Sequence, residues 1–194
     1  MLALCPPAGH APLVLALMGL PGAGKSSLAR LLSEATRWSI LDRDQIRAEL
    51  YPGDASAAAR LEADRLLLRR AGSGVRAAMN LIIDGKTFAL KADRDLFEDA
   101  VDEAGGQLQW CWLDLPVEEA MARVRRDSAH PAPDRDPDLV EAVAARFEPP
   151  HSHAWRLDAQ RTPRELQRQL VLLLAERLNA IVIDDRDAGF SAGP

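Results

Sequence analysis

Apolar residues form short runs that alternate with longer segments in which apolar positions recur three or four residues apart. Short, fully apolar runs are typical of strands buried on both faces, and the wider spacing is typical of amphipathic helices. The pattern predicts five strands, over 13–18, 38–41, 81–83, 108–115 and 153–157. Strands that alternate with helices predict an α/β fold, a parallel five-stranded sheet with helices on both faces.

The helical spacing predicts a helix in each connection between strands and one more at the end of the chain. The predicted helices cover 26–34, the residues after 42, 56–79, 93–104, the residues after 116, 139–148 and 163–178. Within 56–79 the stretch Gly72–Gly74 predicts a break, because glycine weakens a helix interior. Thr162 and Pro163 are expected to cap the last helix.

A chain of 194 residues is the length of one ordinary domain, and we place that domain at 13–179. Residues 1–12 hold three prolines without periodicity and are predicted to be a flexible tail, as are residues 180–194. The segment 127–137 contains three prolines and alternating charges, which exclude regular structure there.

Composition bears on two questions: whether the protein binds nucleic acid or a membrane, and in which cellular compartment it lies. A net charge of −5 and a pI near 5.4 argue weakly against a protein that coats nucleic acid, although a local basic cleft would be compatible with them. No apolar stretch reaches the roughly 20 residues that cross a bilayer, so no membrane partner is expected. Two distant cysteines and no basic leader segment favour a cytoplasmic location.

The first strand runs into a phosphate-loop pattern. Residues 19–26, GLPGAGKS, fit G-x-x-x-x-G-K-[ST] at every fixed position, between a predicted strand and a predicted helix. In such a loop backbone N–H groups and the helix N-terminus hold phosphate, the lysine bridges the β- and γ-phosphates, and the serine hydroxyl binds Mg²⁺. The predicted ATP-binding residues are Gly19, Pro21, Gly22, Ala23, Gly24, Lys25, Ser26 and Ser27, with Ser26 also the magnesium ligand. The alternative is a glycine-rich turn with a solvated lysine.

The residues after the second strand bear on the class of nucleotide-binding protein. The guanine-reading sequence Asn-Lys-x-Asp is absent, which disfavours a GTPase. Asp42 and Asp44 follow the strand at the carboxyl edge of the sheet, where ligands bind in open α/β folds. A carboxylate there can accept the proton of an attacking hydroxyl, or it can simply cap the next helix. Both alternatives stay open for Asp42, and Asp44 is favoured as a site residue.

The sequences GLPGAGKSS and LDRDQIR together resemble a group of AAA-type ATP-binding kinases related to polynucleotide 5′-hydroxyl kinases, zeta toxins and chloramphenicol phosphotransferases. The resemblance implies that Asp44 is the catalytic base and that Arg47 binds the acceptor. It also implies an acceptor pocket shaped by Asp84 and Thr87 at the end of the third strand, with Arg94 as the downstream arginine. Asp84 alternatively contacts magnesium through water, or is a plain strand-end aspartate.

The resemblance also implies that the segment at about 124–137 is a mobile lid that closes over the triphosphate. Arginines in a lid neutralise charge on a phosphoryl group in transfer, and the candidates are Arg123, Arg126 and Arg135. A solvated, charge-balanced loop is the alternative. The run from His130 to Pro150 also resembles a subset of the same kinases, and the resemblance implies that Arg161 contacts adenine.

These inferences favour a kinase that uses ATP and Mg²⁺ to phosphorylate a hydroxyl of a small molecule such as a sugar, nucleoside or antibiotic. Two alternatives remain at this point, a polynucleotide 5′-hydroxyl kinase and a regulatory ATPase without a small acceptor. The leucine-rich final helix is either a core face or a homodimer face.

Overall fold

The structure is a computed structural model that describes residues 10–54, 56–126 and 136–188, with side chains up to 178. Five parallel strands form its centre: β1 (Leu13–Met18), β2 (Ser39–Asp42), β3 (Leu81–Asp84), β4 (Gln107–Asp114) and β5 (Trp155–Asp158). Their order across the sheet is β2-β3-β1-β4-β5. The predicted α/β fold with a parallel five-stranded sheet is therefore confirmed.

Helices cover both faces of the sheet. They are α1 (Lys25–Thr36), α2 (Arg43–Leu50), α3 (Ala57–Arg76), α4 (Lys91–Glu103), α5 (Val117–Arg126), α6 (Pro137–Ala144) and α7 (Pro163–Ala188). None of the helices in the described ranges combines the length and apolar composition that a membrane span requires.

The central strand β1 explains why the core has two halves. All six of its residues are buried, and successive side chains point to opposite faces of a sheet. Leu13, Leu15 and Leu17 belong to the hydrophobic cluster that includes α1 and α7, whereas the side chains between them belong to the cluster of α3 and α4. Burial on both faces is why this strand contains no polar residue.

Two helix predictions were wrong. Glycines 72–74 do not break α3, which is continuous over 20 residues. A Cβ at Gly74 would lie 3.0 Å from the Leu81 side chain, so a small residue lets the helix pack closely on β3. The last helix extends to Ala188 rather than to about Leu178, because the intervening sequence contains neither glycine nor proline. Its predicted cap is confirmed, since the Thr162 hydroxyl accepts from the Glu165 N–H.

Of the expected lid at 124–137, residues 127–135 lie outside the described residues. The remaining positions belong to regular structure on either side: α5 continues to Arg126, and the Asp136 side chain caps α6 by accepting from the Leu139 N–H at 2.8 Å. Both helix ends therefore border this segment.

Candidate active site

The phosphate loop, residues 19–24, joins β1 to α1, and its glycines have different roles. A Cβ at Gly19 would lie 2.6 Å from the Leu113 carbonyl oxygen, and one at Gly22 would lie 2.7 Å from the Ala120 carbonyl oxygen. Gly24, with φ +89°, has no atom within 4 Å of its Cβ position. The first two glycines therefore let the loop pack against β4 and α5, and the third borders open space that a ligand can enter.

Lys25 is 9% exposed, and its ammonium group lies within the loop. Its Nζ atom donates hydrogen bonds to the carbonyl oxygens of Gly19 and Leu20, both at 2.9 Å. The lysine is thus held beside the open space at Gly24, where its charge can act on a phosphate.

Asp84, at the end of β3, is 2% exposed and borders the same loop. Burial is the largest cause that raises the pKa of its carboxyl group; the Asp42 charge raises the pKa further, and a hydrogen bond with the Ser26 side chain lowers it. Within the described residues its Oδ1 atom is buried without a hydrogen-bond partner. A serine hydroxyl beside a carboxylate with an unused oxygen is a donor set that fits Mg²⁺.

The residues after β2 fold into the N-terminus of α2, directly against the end of β3. The Asp42 carboxylate accepts from the N–H groups of Asp44 and Gln45, at 2.8 and 3.2 Å. The capping alternative for Asp42 is therefore confirmed, although this residue also borders the cleft described below.

Gly85 fixes the distance between α2 and β3. It has φ +78°, and a Cβ there would lie 2.3 Å from Asp42 Oδ1 and 2.7 Å from the Asp44 nitrogen. The Arg43 Nε atom donates to the Gly85 carbonyl oxygen at 3.0 Å. Only glycine allows this approach, which brings Asp44 next to the strand end that carries Asp84.

Asp44 faces the cleft and is partly buried, with 26% of its side chain exposed. Burial raises the pKa of its carboxyl group, and the adjacent charge of Arg43, whose Nε atom lies 3.4 Å from Asp44 Oδ1, opposes that shift. The charges of Arg47 and Lys25 lower the same pKa. Asp44 is therefore a carboxylate more basic than an exposed aspartate, close to the phosphate loop.

These residues border one cleft of about 490 Å³. Its walls come from the phosphate loop, the helices α1, α2, α3 and α6, and the segment after β3. The described residues that line it are Pro21, Gly22, Gly24, Lys25, Ser26, Ser27, Arg30, Asp42, Arg43, Asp44, Gln45, Ala48, Arg60, Asp84, Gly85, Lys86, Thr87, Leu139, Val143 and Arg146.

Several predicted site residues lie elsewhere. Arg47 is buried and donates to the Asp54 carbonyl oxygen at 2.7 Å, outside the lining of the cleft. Arg94 is 1% exposed, and its guanidinium donates to the carbonyl oxygens of Phe88, Ala89 and Pro149. Arg94 thus connects the segments before α4 and after α6, and it does not line the cleft.

The predicted lid and adenine-contacting arginines are also outside the lining. Arg123 forms an ion pair with Glu119 at 3.1 Å, and Arg126 is exposed at the end of α5. Arg135 and His130 lie outside the described residues. Arg161 is exposed and lies 3.7 Å from Asp158, near a second depression at the carboxyl ends of β4 and β5. That depression is lined by Asp114, Pro116, Arg156, Asp158 and Gln160.

Most of the basic residues of the cleft are not recognisable from the sequence. Arg30, Arg60 and Arg146 line it but come from three separate helical regions, and Lys86 follows β3. One signal was available for Arg30, which lies four residues after Ser26 and hence on the same face of α1. Arg60 and Arg146 reach the cleft only through the packing of α3 and α6, which the sequence does not show.

Comparison with known proteins assigns this arrangement to a family. A family model described as "AAA domain" matches residues 14–150, from β1 to the segment after α6. The chain belongs to this family. A shikimate kinase of Corynebacterium glutamicum is 26% identical over 125 residues, which are 61% of this chain and 68% of that enzyme.

Solved structures show that kinases share the fold of this family member. A gluconokinase from Sinorhizobium meliloti matches 90% of this chain and 98% of its own, with 18% identity and a TM-score of 0.66. An APS kinase of Mycobacterium tuberculosis, in complex with AMPPNP and APS, matches 85% of this chain and 98% of its own at 21% identity and a TM-score of 0.65.

A chain of the Pnkp1/Rnl/Hen1 RNA repair complex matches 73% of this chain but 45% of its own, at 23% identity and a TM-score of 0.61. Together with the family match and the shikimate kinase, these structures support the P-loop kinase group that the sequence resembles.

Proposed function

We propose that the protein transfers the γ-phosphate of ATP to a hydroxyl group of a small molecule, with Mg²⁺ as the metal. The observation that carries this proposal is that a partly buried carboxylate, Asp44, faces the same cleft as the lysine and serine of the phosphate loop. A hydrolase that uses water would not need an acceptor-sized cavity beside its phosphate loop.

The proposed reaction is a single phosphoryl transfer. The acceptor hydroxyl oxygen forms a bond to the γ-phosphorus as the bond from phosphorus to the β–γ bridging oxygen breaks, and ADP leaves with that electron pair. Asp44 accepts the hydroxyl proton, which its raised pKa favours. Lys25 bridges the β- and γ-phosphates. Ser26 and Asp84 would hold Mg²⁺, which supplies charge neutralisation when bound.

A small acceptor is favoured by the cleft and by the relatives. A volume of about 490 Å³ is within the ordinary range of small-molecule sites. The shikimate kinase, gluconokinase and APS kinase carry small-molecule acceptors in their names. The RNA repair chain keeps a polynucleotide acceptor as the alternative, although its match covers less than half of that chain.

The proposal is tested with a transfer assay in Mg-ATP over sugars, nucleosides, antibiotics and 5′-hydroxyl oligonucleotides. We expect ADP formation that one small acceptor stimulates, with phosphate recovered on that acceptor. Asp44→Asn should lower transfer by about 10²–10⁴-fold, since it removes the general base, and should retain binding of AMPPNP. Asp99→Asn, an exposed aspartate on α4, is the matched control.

The contradicting results are distinct. Full transfer by the Asp44→Asn variant would refute the assigned base. Stimulation by the oligonucleotide alone would favour the polynucleotide kinase. ADP formation that no acceptor stimulates would favour a regulatory ATPase.

A further inference from the structure

We propose that the acceptor carries an anionic group, a phosphate, sulfate or carboxylate, in addition to the hydroxyl that is phosphorylated, and that Arg30 and Arg146 bind this group. The inference rests on the proposed function and specifies its substrate class. It depends on which side of the phosphate loop the cleft lies, and on how the charges of its walls are balanced.

The cleft lies on the β2 and β3 side of the phosphate loop. Its described lining includes residues at the carboxyl ends of those two strands, Asp42–Gln45 and Asp84–Thr87, and contains none from β4 or β5. The carboxyl ends of β4 and β5 instead border the separate depression near Arg156. Because β1 lies between the two pairs of strands, the cleft and this depression lie on opposite sides of β1. Asp44, the proposed base, lies on the side of the cleft, which we assign to the acceptor.

The described lining has an excess of positive charge. It contains six basic side chains and three aspartates. Lys25 is assigned to the nucleotide phosphates, so the acceptor meets the remaining five. A cleft with this balance attracts anions and disfavours cationic acceptors such as aminoglycosides.

Two of the five, Lys86 and Arg43, form ion pairs with nearby carboxylates, two of which, Asp64 and Asp93, lie outside the cleft lining. Lys86 Nζ lies 2.7 Å from Asp64 Oδ2 and 3.3 Å from Asp93 Oδ2. Arg43 Nε lies 3.4 Å from Asp44 Oδ1 and 3.8 Å from Asp64 Oδ1. These pairs are partly buried and connect α2, α3 and α4 to the end of β3. Lys86 and Arg43 therefore shape the pocket rather than supply unbalanced charge.

Arg30 and Arg146 differ from that pair. Within the described ranges, neither guanidinium forms an ion pair or a side-chain hydrogen bond, and both side chains are exposed. Arg30 follows Ser26 by four residues, one helical turn further along α1. Arg146 lies just after α6, seven residues beyond Leu139 and three beyond Val143, which also line the cleft.

The cleft wall that carries these arginines fits an acceptor with a carbon skeleton and an anionic group at one end. Leu139 and Val143 offer an apolar surface to a carbon skeleton, with Arg146 next along the same face. Guanidinium groups bind carboxylate, sulfate and phosphate through paired hydrogen bonds. An acceptor whose hydroxyl reaches Asp44 can thus place its anionic end among residues of α1 and α6.

The test compares matched acceptors in the Mg-ATP transfer assay: glucose with gluconate and glucose 6-phosphate, adenosine with adenosine 3′-phosphate, and a 5′-hydroxyl oligonucleotide. The variants are Arg30→Gln and Arg146→Gln, with Arg69→Gln on the exposed face of α3 as the control. In parallel, inorganic phosphate and sulfate are titrated calorimetrically into the full-length protein loaded with Mg-AMPPNP.

We expect kcat/KM to be at least about tenfold higher for the anionic member of a pair. Each arginine variant should lower that value about 10- to 100-fold through the acceptor KM, since it removes a charge-assisted hydrogen bond. The KM for ATP should change less than about twofold, and Arg69→Gln should behave like the wild type. Inorganic phosphate should bind to the loaded protein and lose affinity in both variants.

Two results would overturn the inference alone: preference for the neutral acceptors, or a rise of the ATP KM in both variants. Transfer to the oligonucleotide only would overturn both the inference and the small-molecule acceptor of the proposed function. Failure of every acceptor would count against the proposed kinase function. In that case the phosphate titration decides whether the anion site exists independently of it.

Discussion

At the scale of a single residue, burial of the Asp84 carboxylate lowers the stability of the folded protein. It is almost fully buried, one of its oxygens lacks a hydrogen-bond partner among the described residues, and burial raises its pKa. A carboxyl group whose folded pKa is above its unfolded pKa adds no penalty at low pH. It destabilises the folded state as the pH rises through the folded pKa. The unliganded protein therefore becomes less stable as the pH rises above the ordinary range of aspartate.

We accordingly predict that Asp84→Asn stabilises the unliganded protein at pH 7 by about 0.5–2 kcal/mol, as measured by urea unfolding. The gain should shrink as the pH falls toward the ordinary range of aspartate, and transfer should be lost. Asp99→Asn provides the comparison for an exposed carboxylate. Equal or lower stability of Asp84→Asn at pH 7 would show that the charge is compensated in the native state.

Asp44 gives a second prediction at this scale, on the pH dependence of transfer. The reaction needs its carboxylate form, and burial raises its pKa. The rate should therefore fall on acidification at a higher pH than the value near 3.9 of an ordinary aspartate would give. Single-turnover measurements across the acid range, with AMPPNP binding measured in parallel, separate this effect from loss of nucleotide. If the transfer rate fell on acidification only at or below the ordinary pKa of aspartate, the role of Asp44 as the base would be contradicted.

At the scale of elements, the contact between β3 and α2 determines the geometry of the site. Gly85 lies against Asp42 and the Asp44 nitrogen, so no side chain fits between the strand end and the helix N-terminus. Arg43 adds a hydrogen bond across the same contact. The base and the strand-end aspartate are thus positioned by backbone packing, independently of the nucleotide.

Gly85→Ala should therefore reduce kcat strongly and destabilise the protein by about 1–3 kcal/mol, through the unfavourable φ and the displaced helix N-terminus. Gly105→Ala is a matched control, because Gly105 has φ +83° but no atom within 4 Å of its Cβ position. The control should lose stability and retain kcat. Equal loss of kcat in both variants would indicate a general effect of strain.

The elements also show what could be predicted from sequence. The phosphate loop was predictable because its strand, glycines, lysine and serine are contiguous, and Asp44 because it follows a strand end directly. The continuity of α3 through Gly72–Gly74 was not, since it depends on close packing against Leu81. Arg146 was missed for a similar reason: only the packing of α6 brings its face to the cleft.

For the whole molecule, nucleotide binding and folding stability are coupled through the phosphate loop. A ligand present at 100 times its Kd stabilises the native state by about 2.7 kcal/mol. Mg-AMPPNP should therefore raise the Tm of the wild type, and Lys25→Ala should lose most of that shift. Arg69→Gln, remote from the cleft, should retain it. An undiminished shift in Lys25→Ala would place the triphosphate elsewhere.

The close backbone contacts of Gly19 with Leu113 and of Gly22 with Ala120 have a consequence for evolution and engineering. The loop takes its curved shape from packing against β4 and α5, so this shape forms when the chain folds and does not depend on the nucleotide. Residues 113 and 120 therefore determine the shape of the phosphate loop through their backbone carbonyl groups. A substitution at either position that shifts its carbonyl by a few tenths of an ångström would change the shape of the loop. The affinity for nucleotide would then change although every residue of the phosphate loop is the same.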